Sequence, residues 1–281
     1  LTAHCQTEYA KNKASQLRIH TRKEYIETEL GQSHEYRQLL QNAIYFPNDY
    51  ILNLSKELKL LSIPGAVLSG EQFIQIRKLA ESLEKIFRWF DSERKAAYKS
   101  LARIIADTYY EKAIIEMIDD VLDDTGYVKD NATPALRDIR VSLYRKRNEL
   151  RRLFDKIIAK LNKQGYLAEI EESFMSGRRV LALFAEHKRT VKGILHGESD
   201  SRKTSFIEPE ETIGLNNEIF ELENEEQKEV YRILRDLTAK LSVYSSLLHT
   251  YHTITGEFDF IYAKAKFGID IKGEYPVVND K

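Results

Sequence analysis

Thr133 to Gln164 reads TPALRDIRVSLYRKRNELRRLFDKIIAKLNKQ. Threonine followed by proline is a helix start: a hydroxyl for the N-cap, then proline at the first helical position, where a missing N–H costs nothing. Leu136, Leu143, Leu150 and Ile157 recur every seven residues, with Ile139, Leu153 and Leu161 near the interleaved positions. That is a narrow apolar seam on a charged rod, the spacing of a helix packed along one or two long partners. No helix breaker intervenes before Gly165, so at 1.5 Å per residue the rod runs about 45 Å.

Beyond Gly165 the period changes. Between Glu172 and Pro209 lie the runs S-F-M, R-V-L-A-L-F, K-G-I-L-H and T-S-F-I-E-P, punctuated at Gly177, Gly193 and Gly197. Short apolar and aromatic runs between turn residues predict a small antiparallel sheet. From Pro209 to about Thr250 the chain reads as helix again, with Val230, Leu237 and Tyr244, and Leu234, Leu241 and Leu248, repeating the heptad spacing. The expected plan is a helix out, a β tip, and a helix back. Because the stem has its own seam, its helices are expected to stay paired even if Tyr166 to Phe206 is replaced by a short turn.

Composition bounds the rest. A length of 281 residues suggests about two domains. A hydrophobic content of 42% is enough for a core, and 31% charged residues is rich against a usual share of about 25%. The net charge of −1 announces no global field for nucleic acid, so any such surface must be local. A single cysteine, Cys5, excludes an internal disulfide and fits a reducing, cytoplasmic setting. No apolar run approaches the ~18 residues of a membrane span, and the first residues do not read as a signal peptide. A start at Leu1 without methionine, and an end on Y-P-V-V-N-D-K, suggest a piece of a longer protein.

The first block is expected to be helical. Leu1 to Leu17 reads as one helix and Thr21 to Gln41 as a second, with Thr21 and Glu24 as a capping box. Tyr45 to Asp49 is an aromatic-proline turn, and Leu52 to Leu61 a short helix closed by Ile63-Pro64-Gly65. Ser69 and Gln72 cap the next, whose stripe is Phe73, Ile76, Leu79, Leu83, Ile86 and Phe90. Trp89 beside Phe87 and Phe90 reads as core packing before base stacking. Asp91 restarts a helix toward Tyr110, and Glu111 to Leu122 makes another.

Three patterns invite chemistry and are better read plainly. Asp119, Asp120, Asp123 and Asp124 lack the alternating ligands and central glycine of a calcium loop, and read as a solvated turn. His249 and His252 sit a helical turn apart with no third ligand nearby. Gly197 to Thr204, G-E-S-D-S-R-K-T, would be a phosphate-binding loop if Arg202 were glycine. Such a loop must enter a helix, whereas Ser205-Phe206-Ile207 continues as strand.

Charge placement says more. Arg140, Arg145, Lys146, Arg147, Arg151 and Arg152 make the outgoing helix basic; Glu218, Glu221, Glu223, Glu225 and Glu226 make the returning one acidic. Antiparallel pairing is expected to put Arg147 near Glu225 and Arg151 near Glu221, largely neutralising the stem. From Gly177 to Ser205 the tip carries Arg178, Arg179, Lys188, Arg189, Lys192, Arg202 and Lys203 against Glu186, Glu198 and Asp200. These seven are the candidate nucleic-acid contacts: uncompensated cations that meet phosphates and carry no base readout. No metal-binding or catalytic set stands out.

The residues also resemble a family. Gly126 to Arg140, G-Y-V-K-D-N-A-T-P-A-L-R-D-I-R, and Gly177 to Phe184, G-R-R-V-L-A-L-F, are similar to stretches of the MutS-II branch of the MutS mismatch-repair ATPases. So are Gly193-Ile194-Leu195-His196, Ser199, Ser201, Thr204 to Pro209 (T-S-F-I-E-P), Leu215 to Ile219 (L-N-N-E-I) with Glu221-Leu222-Glu223, and Asp259 to Phe267 (D-F-I-Y-A-K-A-K-F). Ala182 stands where that branch usually has proline, and Arg202 where it usually has glycine.

The resemblance implies a mainly α fold: a long-helix lever, as a two-helix stalk, with a small antiparallel β clamp inserted at its tip, plus an N-terminal helical bundle. It divides the chain into an N-terminal helical lever or core region (1–132), an outgoing lever helix (133–165), the clamp (166–209), and a returning helix linking to an ATPase domain (210–281). This piece is then non-catalytic and without a cofactor of its own. ATP and magnesium belong to the ATPase domain, and a Smr nuclease domain often follows. The implied partner is DNA, branched or duplex, in recombination suppression or repair, within a homodimer and away from membranes. The alternatives are a ribosome-binding rescue factor using the same clamp, or a purely dimerising scaffold.

Overall fold

The computed structural model describes residues 1–48 and 53–279. In chain order the helices are α1 (Glu8–Ser15), α2 (Lys23–Gln41), α3 (Ser55–Leu61), α4 (Gly70–Trp89), α5 (Ser92–Ala97), α6 (Lys99–Ala102), α7 (Ala113–Val121) and α8 (Pro134–Asn162). Strands β1 (Leu167–Met175), β2 (Arg178–Phe184), β3 (Gly193–Glu198) and β4 (Thr204–Pro209) follow, then α9 (Glu210–Ser242) and α10 (Ser245–Asp270). The fold is mainly α with a small antiparallel sheet. The chain divides into two compact units, one of residues 1–129 with 233–281, the other of residues 130–232.

In the first unit, α4 has the expected Ser69–Gln72 capping box and lays its stripe, from Phe73 to Phe90, into the core. Trp89 belongs to an aromatic cluster with Phe46 and Phe90, and its indole N–H donates to the Tyr45 carbonyl at 2.9 Å. Packing is therefore its observed role. The acidic run is a tied turn: Arg77 pairs with Asp119 at 2.8 Å and Asp124 at 2.9 Å, and Asp123 accepts from the Thr125 and Tyr127 amides. Among the described residues no group of three or more His, Cys, Asp or Glu is arranged to hold a metal. No helix among them is long and apolar enough to cross a membrane.

Several expected boundaries move, for reasons that are long-range. Leu1 to Leu17 is a 3-10 turn at Thr2–His4 and then α1. The buried Asp259 carboxylate takes the Gln6 and Thr7 amides at 2.9 and 2.6 Å, and Thr7 caps α1 by accepting from the Ala10 amide. The Thr21–Glu24 capping box does not form; α2 starts after Arg22 with no side-chain cap. The helix expected from Asp91 to Tyr110 is broken into α5, α6 and a 3-10 turn, because Glu35 accepts from the Ser100 and Leu101 amides, both at 2.9 Å. The Tyr45–Asp49 turn and the helix from Leu52 reach into residues 49–52, outside the described residues.

The returning helix also ends early. It stops at Ser242, and α10 begins at Ser245. Leu241 and Leu248 are both fully buried on either side of the turn, so the heptad count runs through a break that no glycine or proline marks.

In the second unit α8 starts as read, with the Thr133 hydroxyl accepting from the Leu136 amide at 3.1 Å. The sheet order is β1-β2-β4-β3, all antiparallel. Ser176 and Gly177 link β1 to β2, both at positive φ (51° and 78°), the two-residue loop whose twist matches a hairpin. One core joins the elements: Leu143, Leu150, Phe154 and Leu161 of α8, Leu167, Leu181, Leu183 and Ile207 of the sheet, and Ile219 of α9. The sheet thus shares a core with the stem helices. Phe154, which has no exposed surface, would lose its sheet neighbours if the tip were replaced, a cost that a seam confined to the stem does not include.

Candidate nucleic-acid interface

The seven cations of the tip fall into two groups. Arg178, Arg179 and Lys188 are paired. Arg178 donates to Glu208 at 2.8 Å and to the Asn217 side-chain oxygen at 2.5 Å. Arg179 makes a two-nitrogen contact to Glu172, each bond 2.8 Å, while its guanidinium lies 4.8 Å from the centre of the Phe154 ring. Lys188 meets Glu198 at 2.9 Å, and that hydrogen bond is the main cause holding the Glu198 carboxyl below its ordinary range. The expectation that the tip has no counter-charge is therefore wrong for these three. Glu172 and Glu208 lie outside the stretch Gly177–Ser205 in sequence, but strand pairing brings them alongside: Arg179 sits opposite Phe174, two residues from Glu172, and β4 pairs with β2, Ile207 opposite Leu181, which sets Glu208 toward the start of β2.

Arg189, Lys192, Arg202 and Lys203 are the other group. All four are exposed, and among the described residues none makes an ion pair within 4 Å. They occupy turns, where a side chain has no neighbour across a ladder. Arg189 and Lys192 lie in the connection from β2 to β3, and Arg202 and Lys203 in the hairpin from β3 to β4. That hairpin is closed by Ser199 N–H to Thr204 carbonyl at 2.9 Å and Arg202 N–H to Ser199 carbonyl at 2.8 Å. The near-miss phosphate loop is thus a strand-to-strand turn with no helix behind it. Arg202 has a φ of 54°, a left-handed backbone that glycine adopts at least cost.

Behind these turns sits a buried polar junction. Glu208 has no exposed surface. Its carboxylate meets Arg178, accepts from the Asn216 amide at 2.9 Å and contacts His196 Nε2 at 2.7 Å. Asn216 also bonds the Arg179 backbone in both directions. A carboxylate without water needs such partners. Gly193 lies alongside, where a Cβ would come within 2.0 Å of the Glu208 carbonyl oxygen. The G-I-L-H, F-I-E-P and L-N-N-E stretches therefore converge on one joint between β2, β3, β4 and the first turns of α9. Sequence reading named these residues without a role. The signal was a Glu-Pro closing a strand and two asparagines early in the next helix.

The stem pairs in the expected sense but in another register. Arg140 meets Glu226 at 2.7 Å, Lys146 meets Glu218 at 2.5 Å, and Arg147 meets Glu223 at 2.6 Å, where Glu225 was expected for Arg147. Thr133 donates to Glu229 at 2.7 Å. Arg145, Arg151 and Arg152 are exposed and outside any ion pair among the described residues, so the stem is only partly neutralised.

No family model matches the chain. Among curated proteins it is similar to the Endonuclease MutS2 of Enterococcus faecalis, 30% identical over 244 residues that cover 86% of this chain and 30% of that protein. It is 26% identical to the Endonuclease MutS2 of Aquifex aeolicus over 276 residues, 98% of this chain and 36% of that protein. With the Endonuclease MutS2 of Shouchella clausii it shares 28% identity over 288 aligned positions, 100% of this chain and 36% of that protein. The chain thus spans about a third of the length of the curated relatives it matches.

Proposed function

We propose a function from the premise that this chain is homologous to the MutS2 proteins and so belongs to the MutS family: it is a nucleic-acid clamp on a helical lever. The sheet and its turns meet the phosphates of DNA, duplex or branched. The paired helices carry strain between that clamp and an ATPase domain outside this chain, in recombination suppression or repair. This segment holds its substrate; nucleotide hydrolysis and strand cutting belong to other parts of a full-length protein.

The observation that supports this reading is the division among the tip cations. Phosphate binding is driven by the release of counterions condensed on the nucleic acid, which only cations free to neutralise phosphates can displace. Arg189, Lys192, Arg202 and Lys203 are exposed and, among the described residues, outside any ion pair within 4 Å, and they stand on turns braced by a buried junction. Arg178, Arg179 and Lys188 serve as positioning residues, since their charge is already engaged.

The test is duplex binding by fluorescence anisotropy across a salt series. Reversing the four free cations to glutamate is expected to weaken duplexes of unrelated sequence alike, because phosphate contacts carry no sequence information. The slope of log affinity against log salt should shrink by about 0.9 for each phosphate contact removed. An unchanged affinity and slope would sink the reading.

A further inference from the structure

We propose that the outward face of α8 is a second phosphate-tracking surface, continuing the clamp along the stem; it rests on the reading of the tip as a nucleic-acid contact. Arg145, Arg152, Lys156, Lys160 and Lys163 fall within about 80° of one another on a helical wheel, at 3.6 residues per turn. Leu143, Leu150, Phe154 and Leu161, the buried seam, lie on the opposite side. All five cations are exposed, and none makes an ion pair within 4 Å among the described residues. At 1.5 Å per residue the row from Arg145 to Lys163 extends about 27 Å. A duplex presents one phosphate per strand about every 3.4 Å of axis, so the row faces roughly eight phosphates of one strand.

The surface has relief as well as charge. Val141, Tyr144, Arg145, Arg152, Lys156 and Leu215 line an open groove of about 730 Å³. Val141 is 51% and Tyr144 73% exposed on its border. Glu149, which also lines it, shares Lys146 with Glu218, at 3.5 Å against 2.5 Å, so one acid stands among the cations of the row and five cations against it leave the face positive. A solvated helix face would be expected to alternate charge; here the acids at the register of the row are Asp138, beyond one end, and Glu149.

The row also leads to the free cations of the tip. Tyr166 follows Lys163 by three residues, and its carbonyl accepts from the Phe184 amide at 3.0 Å. Its ring stacks on His187, with centroids 4.4 Å apart. Ala185 then donates to the Lys203 carbonyl at 2.9 Å. The C-terminal end of α8 is thus at the same end of the sheet as Arg202 and Lys203. A nucleic-acid backbone is the occupant this arrangement fits: a line of unpaired cations, regularly presented, meeting a polyanion.

The experiment compares three proteins on duplexes of increasing length: the chain as it stands, the tip variant of the four free cations, and a stem variant, Arg145→Glu with Arg152→Glu and Lys156→Glu. The stem variant should keep its helical circular dichroism, because surface charge changes away from packing usually shift stability by less than about 0.5 kcal/mol. It should lose about 2.7 from the salt slope, three contacts at 0.9 each. Its affinity should also stop rising at a shorter duplex than for the unaltered chain. A folded stem variant with unaltered slope and length dependence would overturn the proposal and leave the tip reading standing. It would assign the row to an acidic protein partner. If the stem variant loses binding and the tip variant does not, the proposed function fails while the stem surface remains.

Discussion

Glu208 has no exposed surface, and an arginine, a histidine and an asparagine amide hold its carboxylate. Removing one member of a buried pair costs about 3–5 kcal/mol, because the other charge is left without a partner. Arg178 keeps some contact with solvent and with Asn217, so Glu208→Ala is expected near the lower end of that range, read as a reduced urea midpoint. A loss below about 1 kcal/mol would mean the junction does not hold the sheet. Arg202 tests the opposite sign. Its left-handed backbone costs a side chain about 1–2 kcal/mol, against the 0.5–1 kcal/mol that glycine loses in chain entropy. Arg202→Gly is expected to leave stability unchanged or raise it by up to about 1.5 kcal/mol, while lowering affinity for duplex. Sequence showed that Arg202 was out of place in its motif. It did not show why, since a positive φ is a property of the closed hairpin.

At the scale of elements, the period-seven seam, the threonine-proline start and the glycine-punctuated strands were all legible, because each is set by residues within a few positions. Arg147 against Glu223, and not Glu225, was not. The 47 residues between α8 and α9 set the stagger through sheet packing, which a heptad count does not contain. The same packing makes Phe154→Ala a test of the shared core: deleting a buried phenylalanine typically costs about 3–5 kcal/mol, and helix and sheet signals should fall together. Separate transitions would show two cores. The base of the stem has a pH signature. Hydrogen bonds from Arg232 above all, and from Thr133, lower the Glu229 carboxyl from 4.5 to about 2. A carboxyl depressed in the folded state contributes stability that is complete above its unfolded value and lost as pH falls through its folded one. The urea midpoint should therefore drop between about pH 4.5 and 2, and Glu229→Gln should remove that component. An identical pH profile in the variant would contradict it.

For the molecule as a whole, a net charge of −1 hides where its cations are free. Composition could count seven cations at the tip. Only the tertiary fold, which delivers Glu172 and Glu208 from outside the counted window to Arg179 and Arg178 and sets Glu198 from within it against Lys188, separates three engaged charges from four available ones. The fold was legible because its patterns are local. The candidate interface was legible only as a region, because ion pairing is a tertiary property. The most direct measurement follows from that division. Neutralising Arg189, Lys192, Arg202 and Lys203 to glutamine should lower duplex affinity and its salt slope while the thermal midpoint stays within the range of surface changes. Neutralising Arg178, Arg179 and Lys188 should instead lower the thermal midpoint, leaving the slope of the folded protein nearly unchanged. If the second variant loses the salt-dependent binding and the first keeps it, pairing does not decide which cations meet phosphate, and the assignment of the interface is wrong.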